Sequence, residues 1–186
     1  MHEPTNVEEL LKLYEEKGGE LYGEHVTQLE HGLQCAAFAR RDGATDELIA
    51  AALVHDVGHL VADRQRNEDF ALERDDDDHE ALGARILAPI FGPLVAQPVS
   101  LHVMAKRWRC TIDPTHVEHL SPTSKATLRA QGGLLTVEEC TRFEHHPGFE
   151  AALALRSWDD AGKTSNLDAG ALRDYETTLT KLADAR

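Results

Sequence analysis

Leu53-Val54-His55-Asp56-Val57-Gly58-His59 sets a histidine beside an aspartate among apolar neighbours. Thr45 can cap a helix running from 46 to about 58, and its centre, Ile49-Ala50-Ala51-Ala52-Leu53-Val54, is apolar on every side. Adjacent helical residues point about 100° apart, so His55 and Asp56 cannot both reach water from a buried segment. An ionised carboxylate buried there is costly unless a positive charge compensates it. A divalent cation held by imidazole and carboxylate would do so; a helix-end pair bonded to backbone is the other reading of these two residues. His59 lies one turn beyond His55, within reach of the same cavity.

The rest of the chain reads as helical around this stretch. Thr5 with Glu8 resembles a capping box opening a helix over 7–17, stopped by Gly18-Gly19. Thr27 with Glu30 repeats the signature, with Leu29, Leu33, Ala36 and Ala37 at helical spacing and a stop near Gly43. Residues 62–78 are polar and end in Asp75-Asp76-Asp77-Asp78, read as a solvated loop. Further helices are expected over 79–90, over 94–108 with a kink at Pro98, and over 122–131, 136–146, 148–159 and 168–184. No segment alternates apolar and polar residues at period two. The fold class is all-α.

A length of 186 residues suits one domain. Its 33 acidic against 19 basic residues leave a net charge of −14, which repels phosphodiester backbones and argues against a nucleic-acid partner. No apolar run reaches membrane-spanning length, and residues 1–6 do not resemble a signal peptide. Cys35, Cys110 and Cys140 are scattered, odd in number and without CxxC spacing, which reads as reduced thiols in a cytoplasmic protein. The conspicuous count is 11 histidines in so acidic a chain.

Adding His31 on the preceding helix, His79 after the acidic loop, His102 in Leu101-His102-Val103 and Asp159 in Arg156-Ser157-Trp158-Asp159 gives an ordered H…HD…H…H…D set. This set resembles the HD-domain superfamily of metal-dependent helical bundles. The resemblance implies metal ligands at His31, His55, Asp56, His79, His102 and Asp159. Asp56 would bridge two ions, with His31, His55 and Asp159 on one and His79 and His102 on the other. It also implies one HD domain over 1–186, composed of an N-terminal helix and lid segment 1–26, a metal-binding helical core 27–160 and a C-terminal helix 161–186.

Narrower blocks run from about residue 10 to 165: Gln28 to Ala36, His102 to Arg107, Leu120 to Leu128, Gln131-Gly132-Gly133 and Arg156 to Asp159. They resemble the PhnZ-type phosphonate oxygenases, which implies a mixed-valent Fe(II)/Fe(III) pair, O2 as co-substrate and cleavage of a carbon–phosphorus bond. His59, Lys106, Ser124, Thr127 and Arg156 match that family's phosphonate-binding positions. The chemistry agrees, because a dianion needs cationic and hydrogen-bonding donors. Lys106 follows His102 by four residues and Arg156 precedes Asp159 by three, so each shares a helix face with a ligand.

The resemblance also implies a lid, with Glu24 at its glutamate position. Leu21 stands where the family has tyrosine, and Tyr22 is one residue out of register, a turn of about 100° if the segment is helical. A quaternary ammonium favours aromatic faces plus a carboxylate, so Leu21, Tyr22 and Glu24 suit a trimethylated head group. The resemblance then implies conversion of (R)-1-hydroxy-2-(trimethylammonio)ethylphosphonate to glycine betaine and phosphate. The free-amine analogue giving glycine, an HD phosphohydrolase and a non-catalytic metal-binding module are the alternatives. The partner is a small phosphonate; oligomeric state is unreadable.

Other residues have plainer readings. His2, His25, His116 and His119 suit surface or capping roles, and His145-His146 a helix terminus. Trp108 and Trp158 suit core or cavity wall, and Cys35 a small buried hydrophobe.

Overall fold

The computed structural model describes residues 3–22, 25–62 and 78–186, with Tyr22 described through its backbone alone. Glu24 and the acidic loop short of Asp78 lie outside these residues. The elements are α1 (Val7–Lys17), β1 (Leu21–Tyr22), β2 (Val26–Thr27), α2 (Gln28–Arg41), α3 (Asp46–Val54), α4 (Val57–Val61), α5 (His79–Phe91), α6 (Pro93–Ile112), α7 (Pro114–His119), α8 (Pro122–Ala130), α9 (Val137–Glu144), α10 (Phe149–Ala161) and α11 (Arg173–Asp184). Among the described residues the fold is all-α apart from one short antiparallel hairpin, in which Leu21 pairs with Thr27 and Tyr22 with Val26. Strands of two residues are too short to show period-two patterning, so nothing in the sequence announced them.

The caps decide where helices begin. Thr27 and Glu30 form the expected capping box, with the Glu30 amide on Thr27 Oγ1 at 3.1 Å and the Thr27 amide on Glu30 Oε2 at 2.7 Å. At α1 the cap is shifted by one residue. Asn6 accepts from the Glu9 amide at 2.9 Å, and Thr5 instead donates through its amide and hydroxyl to the Glu9 carboxylate. The helix expected over 46–58 is two helices. Asp56, at φ −95° and ψ 14°, leaves the helical region, and α4 restarts at Val57. Helix α6 is longer than expected and continuous through Pro98. The carbonyl that Pro98 leaves without a ladder partner belongs to exposed Leu94, where water can replace the bond.

Helix α3 is the central element. Every residue from Ile49 to Val54 is buried, because the helix packs on α2, α6, α10 and α11. Around it α5 packs along α6 and against α4, and α10 lies across both α6 and α2. Helix α11 covers the core from α1, α3 and α5 through Tyr175 and Leu179, with the Arg40 guanidinium 4.3 Å above the Tyr175 ring. Cys35, Cys110 and Cys140 are free thiols, and among the described residues no helix is long and apolar enough to cross a membrane.

Two glycines set how closely helices meet beside the conspicuous histidines. A Cβ on Gly32 would lie 2.4 Å from the Leu53 carbonyl oxygen, where α2 crosses α3. One on Gly58 would lie 2.0 Å from the His79 carbonyl oxygen, where α4 meets α5. Each obstacle is backbone, so neither crossing can yield by a rotamer change. Gly32→Ala and Gly58→Ala should each destabilise the protein by about 3 kcal/mol. For a chain of this size that lowers the melting temperature by roughly 6–12 °C. Gly19→Ala, whose added methyl meets nothing within 4 Å, should leave the melting temperature of the metal-free protein unchanged in the same thermal scan.

Candidate metal centre

Five helices and one helix break converge their polar side chains on a single buried point. His31 comes from α2, His55 from the end of α3 and Asp56 from the break before α4. His79 opens α5, His102 lies on α6 and Asp159 on α10. All six are at most 5% exposed, in a chain whose charged side chains are mostly at the surface. Asp56 occupies the N-cap position of α4 but makes no capping hydrogen bond, which leaves its carboxylate for the centre.

The distances divide the six into two sets. His31 Nε2 and His55 Nε2 are 3.3 Å apart, and His79 Nε2 and His102 Nε2 are 3.2 Å apart. Asp56 presents one oxygen to each pair. Its Oδ2 lies 3.7 and 3.4 Å from His31 and His55, and its Oδ1 lies 3.7 Å from both His79 and His102. Asp159 closes the first set, with Oδ1 at 3.4 Å from His31 and Oδ2 at 3.8 Å from His55.

The tautomers follow from the outer partners. His31, His55 and His102 each place Nδ1 on a backbone carbonyl, those of Gly162 (2.7 Å), Ala52 (3.0 Å) and Val99 (2.7 Å). A carbonyl only accepts, so Nδ1 carries the proton and Nε2 turns a lone pair inward. Lone pairs facing each other near 3.3 Å repel unless a positive charge sits between them. Metal–nitrogen bonds of about 2.1 Å to one cation would place two imidazole nitrogens roughly 3.0–3.4 Å apart, which both pairs match. Asp56 Oδ2 has no hydrogen-bond donor among the described residues, another acceptor that suits a cation. The donor set therefore fits two metal ions.

Electrostatics agree. Burial opposes ionisation of Asp56, but the imidazoles of His55, His59, His79 and His31 outweigh it and hold the carboxyl well below the usual range. Burial likewise opposes ionisation of Asp159, and Arg156 and Lys163 outweigh it. His55 and His102 are pushed down by burial and so are neutral, as ligands must be. His31 moves the other way: burial lowers it, and Cys35 and Asp159 raise it by more.

The residues expected to hold a phosphonate lie in two neighbouring groups. Lys106 is 4% exposed and donates to Thr127 Oγ1 at 2.6 Å and Gln131 Oε1 at 3.0 Å. Burial, with Arg156 adding to it, lowers its pKa to about 8. The Thr127 hydroxyl donates to the Ser124 carbonyl, and the Ser121 hydroxyl donates to that of Ser124. Arg156 is also buried and grips two carboxylates, Asp159 Oδ2 through Nη1 at 2.6 Å and Asp160 through Nε and Nη2. His59 stacks on His79 at 3.9 Å between ring centroids, and its nitrogen, Asp56 and His79 could share a cation.

Of the lid residues, Leu21 is not brought to the centre. Leu21 is 67% exposed and lies in a strand, so the rotation expected for a helix does not apply. Glu24 and the Tyr22 side chain are outside the described residues.

Several neighbours escaped the sequence reading. Lys163 Nζ is 3.2 Å from Asp159 Oδ1, four residues along the chain, a spacing that could have revealed it. Asp160, four residues after Arg156, also faces Arg109 at 3.5 Å and His116 at 3.3 Å. His116 is thus not simply a surface histidine. Cys35 is buried as expected, yet its sulfur stands with His31 and His55 close enough to share a cation. Burial raises its pKa, and the neutral thiol donates to the Trp158 carbonyl at 3.4 Å, so it is engaged elsewhere.

Comparison with known proteins gives this geometry a family. Residues 28–131 match the HD domain. The chain is 42% identical over 173 residues to hydroxymethylphosphonate dioxygenase of Gimesia maris (strain ATCC 29201 / DSM 8797 / 534-30), covering 93% of this chain and 86% of that one. It is 33% identical over 174 residues to the glycine-betaine-forming [1-hydroxy-2-(trimethylamino)ethyl]phosphonate dioxygenase of Leisingera caerulea, covering 92% and 87%. With six buried donors in HD order and near full-length similarity to two such enzymes, this chain belongs to the HD-domain family, among its PhnZ-type oxygenases.

Proposed function

We propose that this oxygenase cleaves the carbon–phosphorus bond of a 1-hydroxyalkylphosphonate, using O2 and two iron ions. The observation that carries the reading is Asp56, buried with one oxygen toward each imidazole pair. His31, His55 and Asp159 would complete one Fe site and His79 and His102 the other, in the Fe(II)/Fe(III) state. The metals would supply O2 activation and a position for the substrate hydroxyl. Three protein ligands at the second position, counting Asp56, would leave room for small molecules there.

The protein's own contribution is binding and orientation. Lys106, Thr127 and Ser124 offer an ammonium and two hydroxyls to the phosphonate, and Arg156 and His59 adjoin them. Burial of Lys106 strengthens its attraction for a dianion, because water screens little there. The overall change is RCH(OH)PO3²⁻ + O2 → RCOO⁻ + HPO4²⁻ + H⁺. The C–P bond breaks, the carbinol carbon is oxidised to a carboxylate and O2 is reduced.

For the group R, the higher identity supports hydroxymethylphosphonate, with R = H and formate as product. The second reading is the trimethylammonio substrate giving glycine betaine, supported by the second relative and by Leu21, Tyr22 and Glu24 in the lid segment.

Iron-loaded protein given each phosphonate in turn should consume one O2 per phosphate released and form the matching carboxylate. Phosphate release that continues at the same rate under argon would point to a hydrolase instead. A preference of more than about tenfold in kcat/KM for hydroxymethylphosphonate selects the first head-group reading, and the reverse preference the second. Asp56→Asn should lower bound iron from about two to one or fewer per chain and reduce activity at least about 100-fold. Lys106 is an ammonium below its pKa of about 8 and neutral above it. Consequently kcat/KM should fall about tenfold per unit as pH rises past 8, and Lys106→Arg should move that limb upward.

A further inference from the structure

Gln34 lies three residues past His31 on α2 and is 1% exposed, a buried amide that the reaction does not use. Both ends of its side chain meet one residue. Its Nε2 donates to the Thr164 carbonyl at 2.9 Å, and the Thr164 amide donates to its Oε1 at 3.0 Å. A primary amide that uses donor and acceptor on one backbone residue fixes that residue in place and in orientation. Thr164 is two residues beyond Gly162, whose carbonyl accepts from His31 Nδ1 at 2.7 Å. Helix α2 therefore grips segment 162–164 twice, once through the ligand and once through Gln34.

The fit between the grips is close. A Cβ on Gly162 would lie 2.6 Å from Cys35 Sγ and 3.2 Å from His31 Nδ1. Between them Lys163 Nζ reaches Asp159 Oδ1 at 3.2 Å. One three-residue segment just past the end of α10 thus touches two ligands of the same set, His31 and Asp159.

We propose that Gln34 is a positioning residue for the first metal site. Its amide holds segment 162–164 so that the Gly162 carbonyl sets the tautomer and ring orientation of His31 and Lys163 stays on Asp159. The pair His79 and His102 depends on neither contact. Partners of this outer kind commonly change metal affinity 10–100-fold. The inference rests on the two-metal reading above.

The test is a titration of metal-free protein with Co(II), read by visible absorption, for the native chain and for Gln34→Leu and Gln34→Glu. Leucine removes both hydrogen bonds; glutamate keeps the shape and sets an oxygen against the Thr164 carbonyl. Native protein should bind two ions. Each variant should bind one ion as the native chain does and the other 10–100-fold more weakly, with an altered spectrum. Gln34→Leu binding both ions with native affinity and spectrum would overturn the proposal. Native protein that takes up no Co(II) overturns the two-metal reading and this inference with it. A measurement on the native chain covers variants that fail to fold, because coupling is reciprocal. Zn(II) loading should slow exchange of the Thr164 amide at least about tenfold more than that of the Leu135 amide, which Thr111 holds in another loop. Equal slowing at the two amides overturns the proposal.

Discussion

A carboxylate withdrawn from water governs this structure. Asp56 is buried among four imidazoles, and its burial would be prohibitive without opposite charge. The neighbouring histidines cannot supply that charge outright, since burial keeps His55 and His102 neutral. Two divalent or trivalent cations would supply it, and their binding would then contribute directly to folding stability.

The requirement explains features that look unrelated along the chain. Gly32 and Gly58 are small where α2 meets α3 and α4 meets α5, beside His31, His55 and His79. The helix interruption at Asp56 turns a residue that would otherwise follow His55 around one helix into a group facing both histidine pairs. Backbone carbonyls of Ala52, Val99 and Gly162 then orient three rings without any further side chain. The apolar α3 behind them supplies the rigid wall.

Beside this anionic centre the chain concentrates cations, against its overall charge of −14. Arg156 and Lys163 both lie on Asp159, while Lys106 is held by neutral partners, Thr127 and Gln131. Arg156 is thereby already balanced by carboxylates, whereas Lys106 has no carboxylate among its hydrogen-bond acceptors in the described residues. The acidity that argues against polyanionic partners thus leaves room for a buried ammonium, Lys106, beside the centre.

Much of this was legible in residue order. The Thr27–Glu30 box, the apolar run before His55 and the helical spacings of Lys106 and Arg156 from His102 and Asp159 are local, and local rules read them correctly. The cap at Asn6 was misplaced because Thr5, Asn6, Glu8 and Glu9 offer two overlapping boxes, and only side-chain geometry chooses between them. The hairpin was too short to leave a pattern. Helix α7 has a local signal of its own, an Asp113 cap ahead of Pro114. What the sequence determined by itself is the chemistry: which side chains can bind a cation and that apolar flanks must bury them. What only the tertiary structure decided is what stands around them. The nearness of Asp160 to Arg109 and His116 and the grip of Gln34 on Thr164 depend on contacts between residues up to 130 positions apart, which no local pattern encodes.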